Sequence, residues 1–157
     1  MNTNNKLEEL LLERGLLKAQ QLEYVQRRAA EQQKNIDEVI TEEHLVYPEP
    51  LAQLKAEAVG MPYVDLQAVQ VDPAAMQGVT GKAAATYKFI AFSQTDGKLQ
   101  VALANPEDWQ VLEAVRFVAR KKGLGLEIYC ASAENIEWAL KPSVKVKVDQ
   151  ALRDFGQ

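Results

Sequence analysis

Apolar residues before Gly60 recur at three- and four-residue spacing, which is the period of an amphipathic α-helix. The same pattern repeats after 29 residues. Corresponding pairs in the two copies are Leu7 and Ile36, Leu10 and Val39, Leu11 and Ile40, Leu22 and Leu51, Val25 and Leu54, and Ala29 and Ala58. The repeat predicts two helix–turn–helix copies over 6–29 and 35–58, with helices near 5–14, 18–33, 35–43 and 49–59. Together they form a helical subdomain over residues 1–60.

Local signals support these helix ends. Gly15 is the natural residue to end the first helix, because glycine adopts a positive φ without steric cost. Asn35 is a candidate N-cap for the third helix, with Glu38 as its capping-box partner. Pro48 and Pro50 fit only the first turn of the fourth helix.

After Gly60 the pattern changes to alternating segments separated by turn residues. We expect a short strand at 63–66, a helical turn from Asp72-Pro73, a helix near 80–87, strands at 88–94, 98–104 and 125–130, and helices near 107–121 and from Ser132 to Pro142. Asp96-Gly97 predicts a tight hairpin turn between the first two long strands. The chain is therefore predicted to be an α+β protein, with a small α/β sandwich over 61–141 and a tail or linker over 142–157.

Composition narrows the class of protein. Hydrophobic residues make up 47% of the chain and charged residues 25%, as in ordinary globular domains. The net charge is −4, and this deficit lies in residues 1–60, which argues against a nucleic-acid partner. No apolar run is long enough to insert into a membrane, and the N-terminus lacks the features of a signal peptide. We therefore expect a cytoplasmic protein.

Catalytic and metal-binding constellations are missing from the sequence. His44 is the only histidine and Cys130 the only cysteine, so histidine metal clusters and intrachain disulfides are excluded. We expect His44 to lie at a helix end and Cys130 to be a small buried hydrophobe. The segment GVTGKA at 78–83 is not a Walker A loop, because two residues separate its glycines and Ala83 replaces the hydroxyl residue. We predict no catalytic residues, no metal, no cofactor and no ATP turnover by these 157 residues.

Four basic residues lie close together at the end of the helix predicted over 107–121. They are Arg116, Arg120, Lys121 and Lys122. They either complement the helix dipole and keep the helix solvated, or contact a partner or an anionic lipid.

Three segments together resemble the N-terminal domain of the type II secretion and type IV pilus assembly ATPases (the GspE/PilB class, with an MshEN-like domain). They are KLEELLLERGLLKAQQLEYV at 6–25, GMPYVDL at 60–66 and KLQVALANP at 98–106. The resemblance runs over residues 5–141, and the order of the segments is more specific than any one of them. It implies a domain that couples a downstream ATPase domain to the cytoplasmic domain of an inner-membrane platform protein. The chain would then lie in the cytoplasm, peripheral to the inner membrane through that partner, as an adapter without catalysis of its own.

Part of this family binds cyclic di-GMP with two tandem helix–turn–helix copies, each opening with Arg-Leu-Gly. The positions of this chain that match that site are Lys6, Leu7, Leu10, Asn35, Ile36 and Val39. The apolar frame is kept, but Lys6 and Asn35 replace arginine, and Glu8 and Asp37 replace glycine. Arginine can stack on a base and also bind a phosphate with two hydrogen bonds, whereas neither lysine nor asparagine can do both. The added carboxylates repel a dianion. Cyclic di-GMP binding is therefore the alternative to the adapter function.

The first helix is also a candidate docking surface. One apolar face can bury Leu7, Leu10 and Leu11, which leaves Leu12 near the surface beside Arg14 and several glutamates. The residue equivalent to Leu12 in the second copy is Thr41, which tolerates water. We predict that this helix, with Leu7, Leu10, Leu11, Leu12 and Arg14, docks a basic partner.

Overall fold

The computed structural model of the chain describes residues 3–141. The tail or linker predicted over 142–157 lies outside the described residues. Within the described part, an N-terminal group of helices is followed by a three-stranded mixed sheet covered by further helices. This is the α+β fold that the sequence predicts.

The helical part contains four helices. They are α1 (Thr3–Glu13), α2 (Ala19–Gln32), α3 (Ile36–Glu42) and α4 (Pro48–Val59). Helix α1 packs against α4, and α2 packs against α3. Of the aligned apolar residues, all but the partly buried Ala58 meet in this core, together with Leu17: Leu7, Leu10, Leu11, Leu17, Leu22, Val25, Ala29, Ile36, Val39, Ile40, Leu51 and Leu54. Each copy alone has one apolar stripe, so the two copies bury their stripes against each other.

The second part is built on a sheet with strand order β1-β2-β3. The strands are β1 (Phe89–Thr95), β2 (Lys98–Leu103) and β3 (Gly125–Cys130). Strands β1 and β2 form an antiparallel hairpin, and β3 runs parallel to β2. Asp96 and Gly97 at the hairpin turn both have positive φ, at 54° and 73°, which confirms the predicted tight turn.

Helices and a short 3-10 turn surround this sheet. They are the turn at Pro73–Met76, α5 (Gly81–Tyr87), α6 (Trp109–Lys122) and α7 (Ala133–Leu140). Helix α6 is the crossover between the parallel strands and packs on β2 and β3, while α7 packs on β1 and β2. Helix α6 begins two residues later than the predicted 107, because the Asp108 carboxylate accepts a hydrogen bond from Gln110 N at 2.9 Å and caps the helix there.

Two local predictions are wrong. The segment 63–66 is not a strand: it makes a single parallel bridge, between Tyr63 and Cys130. The chain turns away directly afterwards, where Ala68 N donates to Asp65 O. Asn35 occupies the N-cap position of α3, but its side chain makes no cap hydrogen bond, so the predicted capping box with Glu38 does not form.

The internal repeat extends to the backbone. Gly15 has a φ of 68°, and His44, which follows it by 29 residues, has a φ of 55°. Both residues lie just after the first helix of their copy and turn the chain toward the second. The left-handed conformation costs an L-residue about 1–2 kcal/mol that glycine avoids. The second copy therefore makes the same turn with a strained residue.

We predict that His44→Gly raises the free energy of unfolding by about 1 kcal/mol, because it removes this strain from an exposed position. Gly15→Ala is the reverse control. A Cβ at Gly15 would meet no heavy atom within 4 Å, so its expected loss of about 1 kcal/mol comes from the backbone alone. Chemical denaturation of both variants measures the two changes. Stabilities equal to that of the wild type would show that these turns carry no strain.

Candidate functional site

The outer face of α1 is the first candidate site. Leu7, Leu10 and Leu11 are buried, with at most 4% of each residue exposed, whereas Leu12 is 43% exposed. Glu9 is exposed three residues before Leu12, on the same side of the helix, and Glu13 is exposed at the next position, about 100° further round the helix. An apolar side chain between carboxylates is typical of a contact surface for a basic, partly apolar partner. Leu12, Glu9 and Glu13 are called the α1 outer face below.

The other predicted docking residues have different positions. Leu7, Leu10 and Leu11 lie in the helical core and can only support the surface from beneath. Arg14 is half-exposed, and its Nη2 lies 2.6 Å from Glu57 Oε1 of α4. This ion pair ties the end of α1 to α4, and an exposed pair of this kind adds little stability.

The positions matched to a cyclic di-GMP site do not form one surface. Leu7, Leu10, Ile36 and Val39 are buried in the helical core, while Lys6 and Asn35 are exposed. Only Leu7 and Asn35 of the six line a cleft between the helical part and the start of α6. The cleft has a volume of about 310 Å³.

The charges around this cleft are mostly negative. Its lining includes Asp37, Glu38, Glu107 and Asp108, against one cation, Lys55. Lys55 Nζ is already engaged, at 2.8 Å from Asp37 Oδ2 and 2.9 Å from Ala104 O. The remaining carboxylates leave the cleft with a surplus of negative charge, which opposes entry of an anionic ligand.

A second polar cluster joins α4 to the sheet domain. Glu49 Oε1 accepts hydrogen bonds from Ser132 Oγ at 2.5 Å and from Asn135 Nδ2 at 2.7 Å. Its other oxygen accepts a hydrogen bond from the Tyr63 hydroxyl. Burial, together with this bond to Glu49, holds the pKa of Tyr63 well above its usual value. The contribution of neutral Tyr63 to stability is therefore present below the unfolded pKa of about 10 and is lost at higher pH.

Sequence reasoning missed most of this cluster. The sequence predicts a helix that begins at Ser132, and Ser132 caps α7, since its Oγ accepts a hydrogen bond from Asn135 N at 3.0 Å. The side chain of Asn135 also donates to Glu49, which is 86 residues away in the chain. Residue spacing could not predict this contact. Glu49 lies between two prolines, and that position predicted only a helix start.

The remaining candidate residues have structural environments. Thr80 of the glycine-containing segment caps α5, since its Oγ1 accepts a hydrogen bond from Ala83 N at 3.1 Å. Cys130 is buried, and this burial raises the pKa of its thiol to about 11, so it is a poor nucleophile. Across residues 3–141, no group of three or more histidine, cysteine or carboxylate side chains could hold a metal ion. None of the helices in that range is long and apolar enough to cross a membrane.

Comparison with known proteins identifies the class. The fold of this chain is similar to that of a solved structure, "Structure of MshE with cdg". The TM-score is 0.70 at 19% sequence identity, and the match covers 85% of this chain and 95% of that one. The fold is also similar to that of "Structure of the N-terminal domain of XpsE", with a TM-score of 0.68, 22% identity and coverage of 89% and 94%. A second crystal form of the XpsE domain gives a TM-score of 0.55 at 25% identity, with coverage of 89% and 95%.

The MshEN domain model matches residues 59–143, which is more than half of the chain. The chain belongs to the MshEN domain family, and its predicted membership among the N-terminal domains of the GspE/PilB class is confirmed. No curated protein sequence matches the chain.

We predict that Glu49→Ala lowers the free energy of unfolding by about 2 kcal/mol, because three donors lose their acceptor at a partly buried site. Glu49→Gln keeps one acceptor oxygen and should recover part of the loss. Glu57→Ala is the matched control on the same helix, and it should cost less than about 0.5 kcal/mol because it removes only an exposed ion pair. Equal losses for Glu49→Ala and Glu57→Ala in urea denaturation would show that the cluster does not join the two parts.

Proposed function

We propose that this chain is a non-catalytic adapter domain of a secretion or type IV pilus assembly ATPase. In this function it couples the ATPase domain to the cytoplasmic domain of an inner-membrane platform protein through protein–protein contact. Its place would be the cytoplasmic side of the inner membrane, held there by the partner and not by insertion of its own. Membership in the MshEN domain family supports the link to such ATPases.

The observation that carries the proposal is the α1 outer face. Leu12 is 43% exposed on a helix whose other central leucines are buried, and exposed carboxylates stand beside it. An apolar anchor between charges of one sign suits a groove with a basic rim, in which the apolar contact supplies affinity and the charges raise the association rate. The helical part carries the net negative charge of the chain, which adds to the attraction for a basic partner.

We predict that Leu12→Asp weakens binding to the platform domain by more than about 1 kcal/mol, because it removes the apolar anchor and adds a charge. The melting temperature should stay almost unchanged, since Leu12 is exposed. Tyr47→Asp is the matched control, because Tyr47 is 82% exposed on the helical part but lies outside the α1 outer face. Isothermal titration calorimetry measures the binding, and thermal melts measure the stability.

Two outcomes would contradict this role for α1. If Leu12→Asp unfolds the domain, Leu12 belongs to the core. If Leu12→Asp and Tyr47→Asp bind like the wild type, the platform protein docks elsewhere.

The alternative function is a receptor for cyclic di-GMP. It is supported by the similarity in fold to the structure of MshE with cdg. Against it, the positions that would read the nucleotide carry Lys6 and Asn35, and the nearby cleft has a surplus of carboxylates. The negative charge of the cleft and the lost arginines both act against a dianionic ligand. We therefore favour the adapter.

We predict that cyclic di-GMP leaves the melting temperature of the wild-type chain unchanged. A receptor would gain about 2.7 kcal/mol at a ligand concentration of 100 times the dissociation constant, which a thermal melt detects easily. The double variant Lys6→Arg with Glu8→Gly restores the Arg-Leu-Gly opening of the first copy. Its melting temperature with and without cyclic di-GMP is compared with that of the wild type. A clear stabilisation of the wild type by cyclic di-GMP, but not by GMP, would establish the receptor function instead.

A further inference from the structure

The outer face of α6 is a second unpartnered surface, and it is aromatic and basic. Trp109 is 69% exposed and Phe117 is 56% exposed. They are eight residues apart in the sequence, so they lie on the same side of the helix, about 12 Å apart along its axis. The opposite side of α6 is the buried one, with Val111, Val115 and Ala119 packed in the sheet core. Two large exposed aromatic side chains on one helix face are unusual for a surface that meets only water.

The charges on this face are mainly positive. Arg116, Arg120 and Lys121 are exposed and stand against a single carboxylate, Glu113, which pairs with Arg116 at 3.0 Å. Lys121 Nζ lies 5.5 Å from the centre of the Phe117 ring, so cation and aromatic ring form one patch. Arginine and tryptophan are the residue types most enriched where interfaces concentrate their binding energy. Trp109, Arg116, Phe117, Arg120 and Lys121 are called the α6 outer face below.

Lys122 does not belong to this face. Its Nζ lies 3.1 Å from both Ala74 O and Gln94 Oε1, so it ties α6 to the 3-10 turn and to β1. The predicted cluster of four basic residues is thus divided. Lys122 has a structural role, and the other three remain available to a partner.

The same chain carries a surface of the opposite character. The α1 outer face presents exposed Leu12 with Glu9 and Glu13, so it is apolar and acidic where the α6 outer face is aromatic and basic. Helix α1 packs on α4, whereas α6 packs on β2 and β3, and the central residues of both faces stay exposed within one copy. Complementary charges at such surfaces steer association and set its register.

We propose that the α6 outer face binds the α1 outer face of a second copy of this chain. The contact is heterologous: each copy offers one face of each kind, so copies join head to tail and form either a closed ring or an open chain. An anionic membrane is a weaker candidate for the α6 outer face, because surfaces that bind acidic lipids usually carry about four to eight basic residues.

This contact goes beyond the proposed adapter function and adds a consequence to it. A neighbouring copy would cover Leu12, so self-association and platform binding would compete for the α1 outer face. The two proposals remain separable, because a change on α6 abolishes only self-association and leaves α1 intact.

Sedimentation velocity of the full chain over a concentration series tests the proposal. We expect the weight-average mass of the wild type to rise with concentration and to fall back in high salt, because the contact depends on exposed charges. Phe117→Glu should weaken self-association about tenfold or more, since it removes an aromatic anchor and adds a repelling charge. Tyr87→Glu is the matched control, because Tyr87 is 38% exposed on α5, away from the α6 outer face, and should leave the mass unchanged.

A mixture of two variants distinguishes a head-to-tail contact from a symmetric one. Phe117→Glu chains keep a good α1 outer face, and Leu12→Asp chains keep a good α6 outer face. Each variant alone should stay monomeric, and an equimolar mixture should form a dimer and nothing larger. A symmetric contact that uses one of the faces twice would instead let one of the two variants dimerise on its own, and the mixture would contain no mixed dimer.

Several results would overturn the proposal. One is a wild-type chain that stays monomeric up to submillimolar concentration, and this result counts whether or not the variants fold. Another is self-association that survives both Phe117→Glu and Leu12→Asp, because the contact then lies elsewhere. If monomeric wild-type chain instead sediments with phosphatidylserine–phosphatidylcholine vesicles and Phe117→Glu does not, the α6 outer face binds lipid and not a second copy.

Discussion

Helix α4 packs on β3 and joins the two parts of the domain with two side chains, so the placement of the helical surfaces relative to the sheet depends on this joint. At its N-terminal end, Glu49 accepts hydrogen bonds from Tyr63, Ser132 and Asn135 of the sheet part. Six residues later, Lys55 Nζ bridges Asp37 of α3 and the carbonyl of Ala104, just after β2. The Lys55 and Asp37 side chains are only 21% and 14% exposed, so losing either partner would strand a poorly solvated charge.

This joint explains why the cleft and the α1 outer face differ in character. The cleft is made by residues that tie the two parts together, so its one lysine is already engaged and its carboxylates dominate. The α1 outer face lies on the far side of α1 from the helical core, and its residues do not join the two parts. Its leucine and carboxylates are therefore free to contact another protein. An anionic nucleotide would have to displace Asp37 from Lys55 or bind among carboxylates, and both are unfavourable.

Features that depend on local chemistry could be predicted from the sequence. The spacing of Leu7, Leu10 and Leu11 indicated a buried stripe, and Asp96-Gly97 indicated the hairpin turn, because both follow from helix and turn geometry. The paired carboxylate of Glu49 could not be found this way, because its partners come from distant positions in the chain. The exposure of Trp109 and Phe117 also follows from helix geometry, because Val111, Val115 and Ala119 lie on the opposite side of α6 and reach the core.

The central claim is that the domain works through protein contact at α1 and not through a ligand in its cleft. Hydrogen–deuterium exchange of the full chain, with and without the platform protein's cytoplasmic domain, tests this claim most directly. The account predicts slower exchange in peptides covering 5–16, with little change over 98–108 at the cleft and the end of β2. Protection confined to the cleft residues or to the sheet, with α1 unchanged, would contradict it.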